Sequence, residues 1–265
     1  MLLFSSAALA FAIIVVVPID PERPAKPDAK ARALAVLDQW EKRVNETNSF
    51  IARDVVRTDK TNGMVKTWKG EMRYIRPNHF ALRLILQEDP RIYELLVQNG
   101  NQLFDYVPQY QRLGIRDLPA ENFDLLEFGQ GLCLGNDVSW RAIFGLEPLP
   151  QLSFHDTVAK LKERSDLTVT RDISDGNPDY IYVAATPRKA EYRKQVVQLQ
   201  LVFYAQTMQL RRLWFEQPNG TETTWDLPNI DTATKIKPAD FEPPAVPKDW
   251  ETVQYPAPKA EQRRP

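Results

Sequence analysis

Four dipeptides, Asn62-Gly63, Asn99-Gly100, Asp175-Gly176 and Asn219-Gly220, constrain this chain more than any other feature. Asn-Gly and Asp-Gly readily adopt the positive φ angles that a tight turn between antiparallel strands requires. Around them apolar and polar residues alternate, the period of a strand with one wet face. Trp68, Gly70, Met72, Tyr74 and Arg76 fall on one face of such a strand, with Thr67, Lys69, Glu71 and Arg73 on the other. Phe80, Leu82, Leu84 and Leu86 form the next apolar face. Strands are expected near 50–58, 64–76, 79–87, 92–98, 102–107 and 109–115, then near 167–173, 179–186, 195–204, 208–217 and 221–227. Roughly ten to eleven strands in hairpin order, with no helices alternating between them, imply one large antiparallel meander curling towards a barrel.

Helical spacing occurs outside this pattern. From Asp28 to Asn48, Leu34, Leu37, Trp40 and Val44 recur at three- and four-residue steps, with Asp28 placed to cap the helix. Asp137–Phe144 and Phe154–Arg164 show the same period inside a break in the strands at about 117–165. Helices inserted between two halves of a curved sheet are placed to cover its open side. The fold class expected is therefore α+β.

The chain has 265 residues and a formal charge of −1, which offers no basic excess for a nucleic-acid partner. Eleven of its 21 prolines crowd the two ends: Pro18, Pro21, Pro24 and Pro27, then Pro238, Pro243, Pro244, Pro247, Pro256, Pro258 and Pro265. Proline lacks a backbone donor and resists helix and central strand, so both stretches read as extended tethers. Met1–Val17 is apolar apart from Ser5 and Ser6, and as a helix it would span about 25 Å, suited to a signal-peptide core or an N-terminal membrane anchor. The expected organisation is a signal peptide or anchor at 1–17, a Pro-rich linker at 18–27, one domain at 28–246, and a Pro-rich disordered tail at 247–265.

The stretch Gly70-Glu71-Met72-Arg73-Tyr74-Ile75-Arg76-Pro77-Asn78-His79-Phe80 resembles the hairpin with an R-P-x-x-F ending found in LolA-like proteins, the bacterial periplasmic lipoprotein carriers. Val97-Gln98-Asn99-Gly100, Leu103–Pro108, Ala185-Thr186-Pro187-Arg188-Lys189 and Phe241-Glu242-Pro243-Pro244 are similar to further motifs of that family, in the same order. The resemblance implies an incomplete, half-open barrel with an N-terminal helix, and lid helices over a concave face that holds acyl chains. It further implies that Arg76, as the arginine of the R-P pair, latches the lid. Strand parity agrees, since Arg76 shares a face with Trp68, Met72 and Tyr74. Trp68, Met72, Tyr74, Phe80, Leu82, Leu84, Trp214 and Trp225 are the expected cavity lining. The chain departs from the carrier pattern in its longer 117–165 segment, its two proline-rich ends and Arg188 at the family's P-K site.

No catalytic arrangement is legible. His79 lies on the parity opposite to Phe80, towards solvent, and His155 opens a helix. Gly129-Gln130-Gly131-Leu132-Cys133-Leu134 fails the dinucleotide fingerprint at its last position, and one cysteine with two histidines offers no metal cluster. No enzyme, metal or cofactor is expected. The expected function is an extracytoplasmic chaperone, periplasmic or secreted, that holds the acyl chains of a lipid or lipoprotein as a monomer. The alternative is an envelope sensor of the RseB type, tethered to the inner membrane by Met1–Val17 and contacting envelope membrane proteins.

Overall fold

The computed structural model describes residues 29–100, 102–118, 154–194 and 196–255, with the backbone alone at 154–157, 160 and 191. Helix α1 (Ala29–Glu46) leads into the first meander: β1 (Ser49–Thr61), β2 (Met64–Ile75), β3 (His79–Leu86), β4 (Tyr93–Asn99), β5 (Gln102–Val107) and β6 (Arg112–Asp117). Helix α2 (Phe154–Arg164) precedes the second: β7 (Ser165–Arg171), β8 (Tyr180–Pro187), β9 (Gln198–Tyr204), β10 (Leu210–Glu216) and β11 (Glu222–Asp226), with a short helix α3 (Ala190–Arg193) between β8 and β9. All eleven expected strands are present. Two more bring the described total to thirteen: β12 (Asn229–Asp231) and β13 (Glu251–Tyr255).

The strands form one sheet in the order β13-β6-β5-β4-β3-β2-β1-β11-β10-β9-β8-β7, and β12 also pairs with β1. The two meanders join through the antiparallel β1–β11 pair, which sets Arg57 opposite Trp225. Among the described residues the edges β7 and β13 do not meet, so the sheet stays open. The four turn dipeptides link β1 to β2, β4 to β5, β7 to β8 and β10 to β11, and Gly63, Gly100, Gly176 and Gly220 all take positive φ. Every pairing is antiparallel except β13 on β6, where the returning chain runs parallel.

The expected disordered tail from residue 247 is replaced over its first part by structure. Trp250 packs beneath the sheet and β13 pairs with β6. Proline prevents residues from donating to a central ladder, but an edge strand needs donors on one side only, and 251–255 contains no proline. Residues 1–28, the expected helix at 137–144 and most of the insertion at 117–165 lie outside the described residues.

Candidate functional site: the inner face of the sheet

Alternation divides the sheet into two faces with different covers. On the inner face, cross-strand register sets Trp68 beside Leu86, Met72 beside Leu82, and Tyr74 beside Phe80. Leu96 from β4 and Leu103 from β5 continue this floor, and Trp225 closes it towards β11. Helix α1 covers part of the face with Ala33, Val36 and Leu37, and Trp40 tilts against Phe203 at 5.3 Å between ring centroids. Val158 and Leu161 of α2 join the same core. Of the expected lining residues, Trp68, Tyr74, Phe80, Leu82, Leu84 and Trp225 are buried together, with Met72 packed partly buried against them.

Trp214 does not join them. The β10–β11 register pairs Leu213 with Trp225 and Trp214 with Thr224, so Leu213 takes the inner position and Trp214 faces outward. There its indole Nε1 donates to Glu222 Oε2 at 3.4 Å. Aromatic character alone did not fix the parity of β10.

Discrete polar contacts hold α1 in place. Near its start, Arg32 Nη2 donates to Ser174 Oγ at 2.8 Å and pairs with Asp172. In the middle, Lys162 of α2 pairs with Asp38 and, at 2.9 Å, with Glu41. Burial acts to lower the Lys162 pKa, but the hydrogen bonds to Asp38 and Glu41 outweigh it and raise the value above the ordinary lysine range. At its end, Arg76 Nη2 donates to the carbonyl of Val44 at 2.9 Å. This carbonyl lies in the last turn, where the helix dipole favours a cation. The Arg76 Nε is buried with no partner among the described residues. The arginine singled out by sequence thus reaches α1.

A second arginine was not singled out. Arg57, only 2% exposed, lies on the inner face with its guanidinium 4.7 Å from the Trp68 ring centroid and 5.5 Å from that of Trp225. It donates to both carboxylate oxygens of Glu94 at 2.7 Å and to Asp59 at 3.1 Å. Asp59 also accepts from Trp68 Nε1 at 3.2 Å and Thr223 Oγ1 at 3.1 Å. A buried charge is tolerated only when paired and hydrogen-bonded, and this cluster supplies both. Nearby on the same face, Gln98 is fully buried, and its Oε1 lacks a partner among the described residues.

The outer face of β3–β6 has a different cover. Val97, Tyr106 and Leu113 form a small core with Phe241, and Ile236, Val246 and Trp250 pack around it. Tyr106 Oη donates to the Pro244 carbonyl at 2.6 Å, and desolvation, with a smaller contribution from Tyr93, pushes its pKa up to about 12. His79 takes the outer parity expected for it. However, its ring meets that of Phe241 edge-on at 5.5 Å, and burial lowers its pKa. The Phe241-Glu242-Pro243-Pro244 motif is therefore the clasp of the outer face.

No family model matches the chain, and no curated protein matches it. Solved structures do. A LolA superfamily protein of Nitrosomonas europaea is 9% identical, with 80% of this chain and 97% of that one covered at a TM-score of 0.35. A putative outer membrane lipoprotein-sorting protein domain of Vibrio parahaemolyticus is 10% identical over 80% of this chain and 97% of that one, at a TM-score of 0.38. MucB of Pseudomonas aeruginosa, in a complex with MucA, is 14% identical over 80% of this chain and 61% of that one, at 0.43. Among the described residues no helix is long and apolar enough to cross a membrane; Met1–Val17 falls outside them.

Proposed function

We propose that this protein is an extracytoplasmic binding protein, with no enzymatic activity, that holds the acyl chains of a lipid or lipoprotein against the inner face of its sheet. One observation carries the reading. The leucine and aromatic floor of β2–β5 is continuous with the core on which α1 packs beside β7 and Phe203, and α1 joins that core through side chains, with polar contacts at Arg32, Lys162 and Arg76, rather than through the ladder of the sheet. A cover of that kind can part without unpairing a strand. Each methylene of an incoming chain then contributes about 0.8 kcal/mol by leaving water, enough for several to replace the apolar contacts of α1. Arg76 serves as the latch, because releasing Val44 frees the end of α1 nearest the β2–β3 turn.

A tethered sensor of the RseB type would use the same floor. The apolar run Met1–Val17 and the Pro-rich spacer at 18–27 favour it, since an uncleaved run would hold the domain at a membrane. Native mass spectrometry of protein purified from its own envelope tests both. A co-purifying acylated species supports the binding function, and a ligand-free protein with no affinity for lipid analogues overturns it. Release of the mature protein from the membrane fraction by salt and alkali separates carrier from sensor.

A further inference from the structure

The inner face changes character towards the β13 edge. Cross-strand register continues the row of Leu96 through Asp105 of β5 and Gly114 of β6 to Val253 of β13. Arg112 and Arg116 flank Gly114 on the same face, one on either side. At about 3.3 Å per residue their backbones are about 13 Å apart, a gap that two arginine side chains can close around one anion. Gly114 itself is buried between them, with the ring of Tyr255 against it. A side chain there would begin 3.3 Å from Tyr255 Cε2 and 3.7 Å from Asp105 Cβ.

These charges differ from those around Arg57. Arg112 lies over Tyr110 at 5.9 Å and Arg116 over Tyr255 at 5.4 Å, and neither makes an ion pair among the described residues. Asp105 likewise accepts no hydrogen bond there. Its carboxyl is raised by desolvation, with Arg112 and Arg116 opposing the rise and Glu94 adding to it. Arg116 and Tyr255, the last 37% exposed, are open to solvent, and Asp105 reaches the surface although the strands around it desolvate its carboxyl in part. The protein therefore presents two cations and one anion around the Tyr255 ring, next to the apolar floor of Leu96 and Leu103.

We infer that this wing is a headgroup site, with Arg112 and Arg116 binding a phosphodiester and Asp105 binding an adjacent ammonium, as a phosphoethanolamine-type phospholipid would present them. The inference rests on the acyl-binding function proposed above. A lone anion would leave Asp105 opposing it, and an uncharged headgroup would strand both arginines. A zwitterion satisfies all three, and its acyl chains run directly onto the leucine floor.

The test is binding of the full chain to dioleoylphosphatidylethanolamine, dioleoylphosphatidylglycerol and dioleoylglycerol, delivered from cyclodextrin and read by native mass spectrometry. The expected result is phosphatidylethanolamine bound about tenfold or more tighter than dioleoylglycerol. Arg112→Gln/Arg116→Gln should reduce it to the dioleoylglycerol level. Asp105→Asn should weaken phosphatidylethanolamine but not phosphatidylglycerol. The three residues lie on the second and third strands from the β13 edge, and circular dichroism of each variant checks that the fold persists. Equal binding of all three lipids, or a preference unchanged in the double arginine variant, overturns the headgroup site while acyl binding stands. If no lipid binds, dioleoylglycerol included, acyl binding itself is overturned.

Discussion

The two faces of β3–β6 come from the same strands by alternation, yet their covers are built on opposite plans. The outer face receives Phe241, Trp250 and the Pro244 carbonyl, and its covering segment then joins the sheet as β13. The inner face of the sheet receives α1, which joins no ladder, packs Ala33, Val36, Leu37 and Trp40 into the core and is tied by polar contacts at Arg32, Lys162 and Arg76. An apolar knob followed by a paired strand resists local opening. A helix held by exchangeable polar contacts over an apolar floor can open below the cost of global unfolding. The difference assigns permanence to one cover and movement to the other.

The sharpest way to break this contrast is at Phe241. Phe241→Ala leaves a cavity in the outer core and should cost about 3–5 kcal/mol in urea unfolding. Hydrogen exchange should rise across 236–255 and stay unchanged in α1. Equal loosening of α1 would show that the two covers are one cooperative unit.

Arg57→Ala comes next. It removes the cation paired with Glu94, leaves Asp59 with Trp68 and Thr223 as its donors, and strips the faces of Trp68 and Trp225. Breaking a buried pair costs 3–5 kcal/mol, reduced here to about 2–3 because Glu94 is 30% exposed. Arg57→Met, which keeps the packing between the two indoles, should recover part of this loss in the same unfolding measurement.

Arg76→Leu should cost only about 1 kcal/mol, the worth of one hydrogen bond aided by the helix dipole. Its effect belongs to the inner cover: faster exchange in the last turn of α1 and faster release of a bound acyl probe. Unchanged release would remove the latch.

The smallest effect is the pH response of the outer clasp. The folded pKa of His79 is lowered, so the unfolded chain binds its proton more readily. The stability at stake is fully present above the unfolded value of about 6.5 and is lost as pH falls from there through the folded value. A small drop in the thermal midpoint between pH 7 and pH 5 is expected, flattened in His79→Asn. A drop of equal size in that variant would assign the pH response to other groups.

Much of this contrast was legible from residues alone. Turn dipeptides and alternation gave eleven strands, and the spacing of Leu34, Leu37, Trp40 and Val44 gave α1. The parity of β2 and β3 placed five of the eight expected lining residues in the buried floor and Met72 against it, and Trp225 of β11 joins them. Arg57 was hidden because β1 carries a bulge between Ala52 and Val55, with Asp54 at φ 56, so counting by twos from Phe50 misplaces it. Trp214 was misplaced because aromatic character alone does not fix the parity of β10, whose register also shifts at Leu210–Arg212. The clasp was missed because proline content spoke for a tether. What seats the segment is a single buried phenylalanine and a strand at the edge of the sheet.

Native-state hydrogen exchange with and without an acyl ligand, comparing α1 with residues 236–255, tests the division of roles most directly. The expected result is that α1 exchanges through an opening well below global unfolding and slows when ligand binds. Residues 236–255 should exchange only near the global limit, with or without ligand. Exchange of α1 at the global limit, unaffected by any lipid, would contradict a movable inner cover.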